Sequence, residues 1–76
     1  MNKQRRIQLE KVENKLYEIY GLLIDIRDEE EEYKENIPEN LQGSERYEKA
    51  EEAVDNLYSA LSSLDEALEY IETAKE

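Results

Sequence analysis

The sequence predicts an all-α protein: an antiparallel hairpin of two long helices. Each half of the chain has apolar residues at alternating steps of three and four, the heptad pattern of helices that pack side by side. A single polar break with Pro38 and Gly43 separates the halves, which have nearly equal lengths. We therefore expect one domain over 1–76, with helices over about 3–35 and 45–74 and a loop over about 36–43.

The first helix is predicted from an apolar heptad seam. Its members are Leu9, Val12, Leu16, Ile19, Leu23, Ile26, Tyr33 and Ile37. Ile7, Tyr20 and Leu22 flank this seam, so the apolar stripe is wider than a two-stranded coiled coil needs. Glu30 takes a seam position where an apolar residue is expected, and Gly21 lies on the outer face. The helix is expected to break before Pro38, because the residue before a proline, here Ile37, is pushed out of helical geometry.

The second helix repeats the pattern more regularly. Its seam contains Tyr47, Ala50, Val54, Leu57, Leu61, Leu64, Leu68 and Ile71. A row of small residues seven apart, Ala53, Ala60, Ala67 and Ala74, runs beside it. Alanines favour helix in any case, but their regular spacing favours a closely packed antiparallel neighbour. Ser44 is a suitable N-cap, and Glu45 and Glu48 in the first turn suit the helix dipole.

Two helices cannot cover an apolar stripe of this width. Self-association is the simplest remedy, and a dimer forming a four-helix bundle is the simplest homo-oligomer. A higher oligomer remains an alternative, as does a loose monomer whose stripe binds another protein. The predicted oligomer interface consists of Leu16, Ile19, Leu23, Ile26, Leu57, Leu61, Leu64 and Leu68.

Composition excludes most chemistry. The chain has no Cys and no His, so the usual nucleophile–base pairs and the commonest metal ligands are missing. The many carboxylates are expected to be exposed and untuned, and they lack EF-hand order. We therefore predict no enzyme activity, no cofactor and no specific metal site. The basic start MNKQRR precedes no apolar leader, and no apolar run spans a bilayer, which favours a cytoplasmic protein.

The net charge of −11 is unevenly spread. Residues 1–20 carry +2, residues 21–52 carry −8 and residues 53–76 carry −5. Such a field repels duplex DNA and anionic membranes and attracts basic surfaces. The predicted acidic surface comprises Asp28, Glu29, Glu31, Glu32 and Glu35. Acid at a helix C-terminus opposes the dipole, so this run is either functional or a solubilising face.

The loop region is the candidate ligand or partner site. Its residues are Tyr33, Asn36, Asn40, Gln42, Ser44, Arg46 and Tyr47, with Ile37 and Leu41 as expected anchors. Amides offer paired donors and acceptors, arginine suits carboxylate or phosphate, and tyrosine rings can stack on a flat group. Another hairpin could add Lys3, Arg5 or Arg6. The alternative is ordinary turn chemistry, with Arg46 paired to acids and the tyrosines closing the bundle end.

The stretches IPENLQGSERYEKAEEAVDNL and LDEALEYIE resemble a group of small acidic helical proteins of Gram-positive bacteria and their prophages. The resemblance covers roughly residues 4–74 and is most specific over 36–53. It carries no catalytic motif. A prophage setting implies, by association, a role in conflict between phage and host.

Three hypotheses follow for function. The leading one is a non-enzymatic counter-defence protein that sequesters a host protein through the acidic surface and the 33–47 loop, in the manner of a DNA mimic. The second is a sponge for a small cyclic or linear nucleotide signal, with Arg46 on phosphate and Tyr33 or Tyr47 on the base. The third is an oligomerisation module with no ligand.

Overall fold

The computed structural model describes residues 1–76 as two long helices that fold back on each other. Helix α1 spans Lys3–Glu35, a 3₁₀ turn spans Glu39–Leu41, and helix α2 spans Glu45–Lys75. The helices pack antiparallel in a rod of 59 × 15 × 12 Å. The predicted all-α antiparallel hairpin is thereby confirmed.

Side chains that precede each helix cap its first turn. The Asn2 side chain accepts a hydrogen bond from the backbone N–H of Arg5 at 2.8 Å. Ser44, the predicted cap of α2, accepts from the backbone N–H of Tyr47 at 3.3 Å. Both caps satisfy donors that the helix itself leaves without a partner, and so fix where each helix begins.

The connection is anchored at one residue only. Ile37 is 4% exposed, which confirms it as an anchor, whereas Leu41 is 46% exposed, so the expectation that it also anchors the loop was wrong. The carbonyl of Pro38 accepts from the N–H of Leu41 at 2.8 Å, and the carbonyl of Leu41 accepts from the N–H of Ser44 at 3.0 Å. These local bonds hold Leu41 in a tight turn at the surface, away from the helix interface.

The core is narrow and comes mainly from α2. Six residues are buried: Glu13, Ile37, Ala50, Val54, Leu61 and Leu68. Leu61 and Leu68, predicted for the oligomer interface, thus lie between the two helices of one chain. Four other predicted interface residues, Leu16, Leu23, Leu57 and Leu64, are half-buried. The remaining two, Ile19 and Ile26, are 46% and 50% exposed.

The first helix is therefore rotated relative to its predicted seam. Val12, Ile19, Ile26 and Tyr33, expected in the seam, are 42–50% exposed. The neighbouring heptad row of Glu13, Tyr20 and Arg27 faces α2 instead and is buried or half-buried. This row makes polar contacts with α2, which the apolar pattern could not reveal.

That polar pairing follows one side of the hairpin, here named the polar flank: Glu13, Tyr20 and Arg27 of α1 with Tyr58, Asp65, Glu72 and Lys75 of α2. The Tyr20 hydroxyl donates to Asp65 Oδ2 at 3.1 Å. The Arg27 guanidinium lies 4.7 Å from the centroid of the Tyr58 ring. Lys75 Nζ lies 2.7 Å from Glu13 Oε1. These three contacts connect the helices at three heights along the rod.

The opposite side of the hairpin has no comparable closure. On α1, the heptad row of Leu9 lies between two other rows. The row of Val12 is on one side of it and the row of Glu13 is on the other. Arg46 of α2 stacks on Tyr33 of α1, which places these two rows on one common side. We name this side the open face: Val12, Ile19, Leu22, Ile26 and Tyr33 of α1 with Ala53, Leu57, Ala60, Leu64, Ala67 and Ile71 of α2.

Candidate binding site at the loop end

The structure brings two of the predicted site residues together across the helix ends. Arg46 Nε donates a hydrogen bond to the Tyr33 hydroxyl, and the guanidinium carbon lies 5.2 Å from the ring centroid. Both residues are exposed, and Arg46 forms no ion pair with a carboxylate. The expected alternative of an Arg46–acid pair is therefore not what the structure contains. The result is a solvent-facing cation held against an aromatic ring.

A second arrangement lies around Gln42 and Tyr47. They line an open groove of about 450 Å³, and neither Tyr33 nor Arg46 contributes to it. The rest of the groove lining is acidic: Glu48, Glu51, Glu52 and Asp55. Four carboxylates without a basic residue in the lining give the groove a strongly negative potential. The predicted loop site is thus divided into a cationic part and an anionic part.

Three other predicted site residues serve the backbone or face solvent. The Ser44 hydroxyl is the cap acceptor of α2. The backbone N–H of Asn36 donates to the carbonyl of Glu32 at 3.0 Å, which ends α1. Asn40 is exposed in the 3₁₀ turn, and its side chain makes no hydrogen bond within the chain. Neither Asn36 nor Asn40 lines the groove.

The basic N-terminal residues do not reach this site within one chain. Lys3, Arg5 and Arg6 lie in the first turn of α1, at the end of the 59 Å rod that is remote from the loop. Their predicted contribution to a pocket with Arg46 thus requires a second hairpin. Whether such a hairpin is present in solution stays a prediction.

The predicted acidic surface is partly compensated. Asp28 pairs with Arg27 at 2.9 Å, and this hydrogen bond raises the pKa of the Arg27 guanidinium above its ordinary value. Glu31 is half-buried and accepts a hydrogen bond from the Tyr58 hydroxyl at 3.4 Å. The remaining three residues, Glu29, Glu32 and Glu35, are exposed and form no ion pair. They leave an uncompensated negative surface on α1 near the loop.

The far end of the rod has its own ionic cluster. Hydrogen bonding to Lys75 lowers the pKa of Glu13, although burial of that carboxylate opposes the shift. The same hydrogen bond raises the pKa of Lys75, which also lies 3.3 Å from Glu72. The cluster ties the C-terminal turn of α2 to α1. Its charges are used for holding the hairpin together.

Sequence reasoning missed the acidic groove and the polar flank. Glu48, Glu51, Glu52 and Asp55 read as an ordinary solvated helix face, which is the usual meaning of such charges. A usable signal was the spacing of the polar flank: Glu13, Tyr20 and Arg27 are seven apart, as are Tyr58, Asp65 and Glu72. Matching polar rows in two antiparallel helices are a sign of cross-helix pairing.

The protein thus belongs structurally to the acidic helical hairpins, and its loop end has a cationic part and an anionic part. None of its Asp and Glu side chains cluster in groups of three or more arranged to hold a metal ion. Neither helix has a segment long and apolar enough for crossing a bilayer. Comparison with protein-family models, curated proteins and solved structures found no match.

Proposed function

We propose that this protein is a non-enzymatic binding protein whose acidic loop end engages a basic surface of another protein. The observation that carries the proposal is the groove beside the loop. It combines an aromatic ring and an amide, from Tyr47 and Gln42, with four carboxylates and no basic residue. Charged groups of one sign attract a complementary partner, and the polar and aromatic groups fix its orientation.

The charge distribution supports the same partner. The loop half of the rod, residues 20–60, carries thirteen acids and four bases, or −9. The other half, residues 1–19 and 61–76, carries eight acids and six bases, or −2. A field concentrated at one end steers a basic partner toward that end and raises its association rate. It also disfavours nucleic acid as the direct partner.

The biological setting rests on the resemblance to prophage proteins. In that setting, the partner is a host protein, and sequestering it in the cytoplasm counters a defence system. A host enzyme that handles nucleic acid presents a basic surface, which an acidic mimic of DNA charge can occupy.

A second candidate is favoured by the Tyr33–Arg46 pair. A guanidinium that no carboxylate neutralises, backed by an aromatic ring, suits a nucleotide with its phosphate on Arg46 and its base on Tyr33. The acidic groove around Tyr47 repels phosphate, so Tyr47 does not belong to this candidate site. The sponge hypothesis thus depends on Tyr33 and Arg46 alone unless a second copy adds bases.

The test compares two variants with equal changes in charge. Glu51→Gln, Glu52→Gln and Asp55→Asn neutralise the groove, while Glu10→Gln, Glu66→Gln and Glu69→Gln neutralise three exposed acids in the other half. Immobilised proteins are incubated with bacterial lysate over a series of salt concentrations, and captured proteins are identified by mass spectrometry. We expect the groove variant to lose a basic partner that the control variant retains.

Equal capture by both variants and the wild type would contradict the proposal. The nucleotide candidate is tested separately, by thermal melting with a panel of cyclic and linear nucleotides. A rise in Tm that Arg46→Ala abolishes, with helix content unchanged by circular dichroism, would favour the sponge. No captured protein and no responsive nucleotide would leave the oligomerisation module as the better hypothesis.

A further inference from the structure

We propose that the open face is the interface of a symmetric dimer in which two copies pack with their loops at opposite ends. The inference goes beyond the proposed function and does not depend on it. It fixes both the surface used and the direction of packing, neither of which the heptad pattern alone determines.

The first argument is the composition of the open face. Its α1 rows carry Val12, Ile19 and Ile26, each 45–50% exposed, and Leu22 at 61%. Its α2 rows carry half-buried leucines and alanines seven residues apart. The Tyr20–Asp65 hydrogen bond indicates the register of the two antiparallel helices, and in this register Ile19 and Leu64 lie within about 3 Å of each other in height along the rod. The apolar side chains therefore form one continuous surface across both helices.

The second argument is the area left in water. The chain exposes 5868 Å². A compact monomer of its 9.0 kDa mass is expected to expose about 4,900 Å². The excess is about 1,000 Å², close to the roughly 800 Å² that each partner buries in a stable interface of standard size. The elongated chain therefore has enough surface for a second copy of equal length to form an interface of standard size.

The third argument is that the face is complementary to itself. When the loops lie at opposite ends, α1 of one copy runs antiparallel to α1 of the other, and α2 runs antiparallel to α2. The row of Ala53, Ala60 and Ala67 then meets the same row of the second copy, and small side chains permit close approach of the two helices. The larger rows of α1 fill the other half of the interface.

Charge decides the direction of packing. If both loops lay at the same end, two halves carrying −9 each would face one another. In the opposite direction, each half with −9 faces a half with −2, which carries the basic turn of Lys3, Arg5 and Arg6. Repulsion between like charges is therefore much smaller with the loops at opposite ends. A second copy in this direction also fits the basic N-terminus to the acidic loop end.

The association is tested by mass in solution. Light scattering is expected to give twice the 9.0 kDa chain mass. Ile19→Glu with Ile26→Glu should weaken dimerisation by ~100-fold or more, because each substitution buries a charge at the interface. Leu22→Glu is the second variant, since the Leu22 side chain is 61% exposed and its replacement is expected to leave folding intact. A monomeric wild type would overturn the proposal.

The matched control is Tyr17→Glu, which introduces the same charge on α1 at a side chain that is 60% exposed and lies outside the open face. It should leave the dimer intact. Equal loss of dimer in Tyr17→Glu and in the open-face variants would mean that total charge, and not this face, controls association. Circular dichroism is recorded for every variant, so that loss of dimer is compared only at equal helix content.

The direction is tested by a distance measurement. The chain has no Cys, so Glu39→Cys in the 3₁₀ turn accepts one spin label per copy. If the loops lie at opposite ends of the 59 Å rod, pulsed electron–electron double resonance should give a distance between the two labels comparable to the rod length. Labels close to each other would show a dimer with both loops at one end and would refute the proposed packing.

Discussion

The two sides of the hairpin use the same heptad spacing for different chemistry. On the polar flank, hydrogen bonds and ion pairs join α1 to α2 at Tyr20–Asp65 and Glu13–Lys75. On the open face, isoleucines at the same spacing remain about half exposed. The comparison teaches that a hairpin with a broad apolar stripe can close along its polar flank and leave the more apolar open face uncovered. The apolar side is then left for another contact.

The largest effect is expected from Leu61, which is buried between the two helices. Leu61 is 4% exposed, and Leu61→Ala removes most of a buried side chain from a narrow core. We expect the free energy of unfolding to fall by about 2–5 kcal/mol, measured by urea denaturation. Leu22→Ala at low protein concentration is the control, because Leu22 is 61% exposed. Equal losses for the two variants would contradict the assignment of the core.

A change that touches neither side is expected to stabilise the protein. Gly21 lies in the middle of α1, and a Cβ added there meets no atom within 4 Å. Gly21→Ala should therefore raise the free energy of unfolding by about 1 kcal/mol through helix propensity alone. The measurement is urea denaturation alongside light scattering. A loss of stability or a change in mass would show that Gly21 serves a contact.

The polar flank is expected to respond to pH at its Glu13–Lys75 pair. Folding lowers the pKa of Glu13 from its ordinary value of 4.5, so the pair contributes stability above that pH and loses it as pH falls further. The pKa of Lys75 is raised above 10.5, so the contribution is also lost as pH rises beyond that value. Between these limits, Glu13→Gln should lower Tm.

The pH effect is measured as the difference in Tm between wild type and Glu13→Gln. This difference should shrink as pH falls below 4.5, because the Glu13 carboxylate becomes protonated. Repulsion among the other carboxylates decreases in both proteins alike. Glu10→Gln serves as the control at an exposed acid without an ion pair. A difference that stays constant down to low pH would contradict a role for the Glu13 carboxylate in stability.

The smallest effect is expected from a single hydroxyl group. Tyr20→Phe removes the hydrogen bond to Asp65 while keeping the ring. It should lower Tm slightly, because water replaces the lost partner of the exposed carboxylate. Tyr17→Phe is the control, since the Tyr17 hydroxyl makes no hydrogen bond within the chain. Equal Tm values for Tyr20→Phe and Tyr17→Phe would contradict a role for the Tyr20–Asp65 hydrogen bond in pairing the helices.

The heptad pattern predicted the hairpin, but it could not fix the rotation of α1. Val12, Ile19 and Ile26 fit seam positions because the heptad pattern depends on hydrophobicity alone. In the structure they face outward, and the adjacent row contacts polar partners on α2 instead. A stripe several rows wide allows more than one rotation, and the choice depends on the second helix.

The candidate site was predicted less well than the fold. The set of loop residues included the Tyr33–Arg46 pair, yet nothing in their spacing showed that they would meet. The groove acids Glu51, Glu52 and Asp55 were not predicted, because acids on a helix usually face solvent without a role. Local turn chemistry did identify Ser44 correctly, since capping depends on neighbouring backbone atoms only.

The Tyr20–Asp65 hydrogen bond also gives the hairpin an internal optical reporter. All six aromatic residues are tyrosines, so phenolate absorbance is not obscured by tryptophan. Hydrogen bonding to Asp65 raises the pKa of Tyr20 above its ordinary value of 10.0. Its stabilising contribution is present below that pH and is lost as pH rises through the raised pKa. Alkaline titration of absorbance, compared with Tyr20→Phe, therefore follows the loss of the Tyr20–Asp65 hydrogen bond without any attached dye.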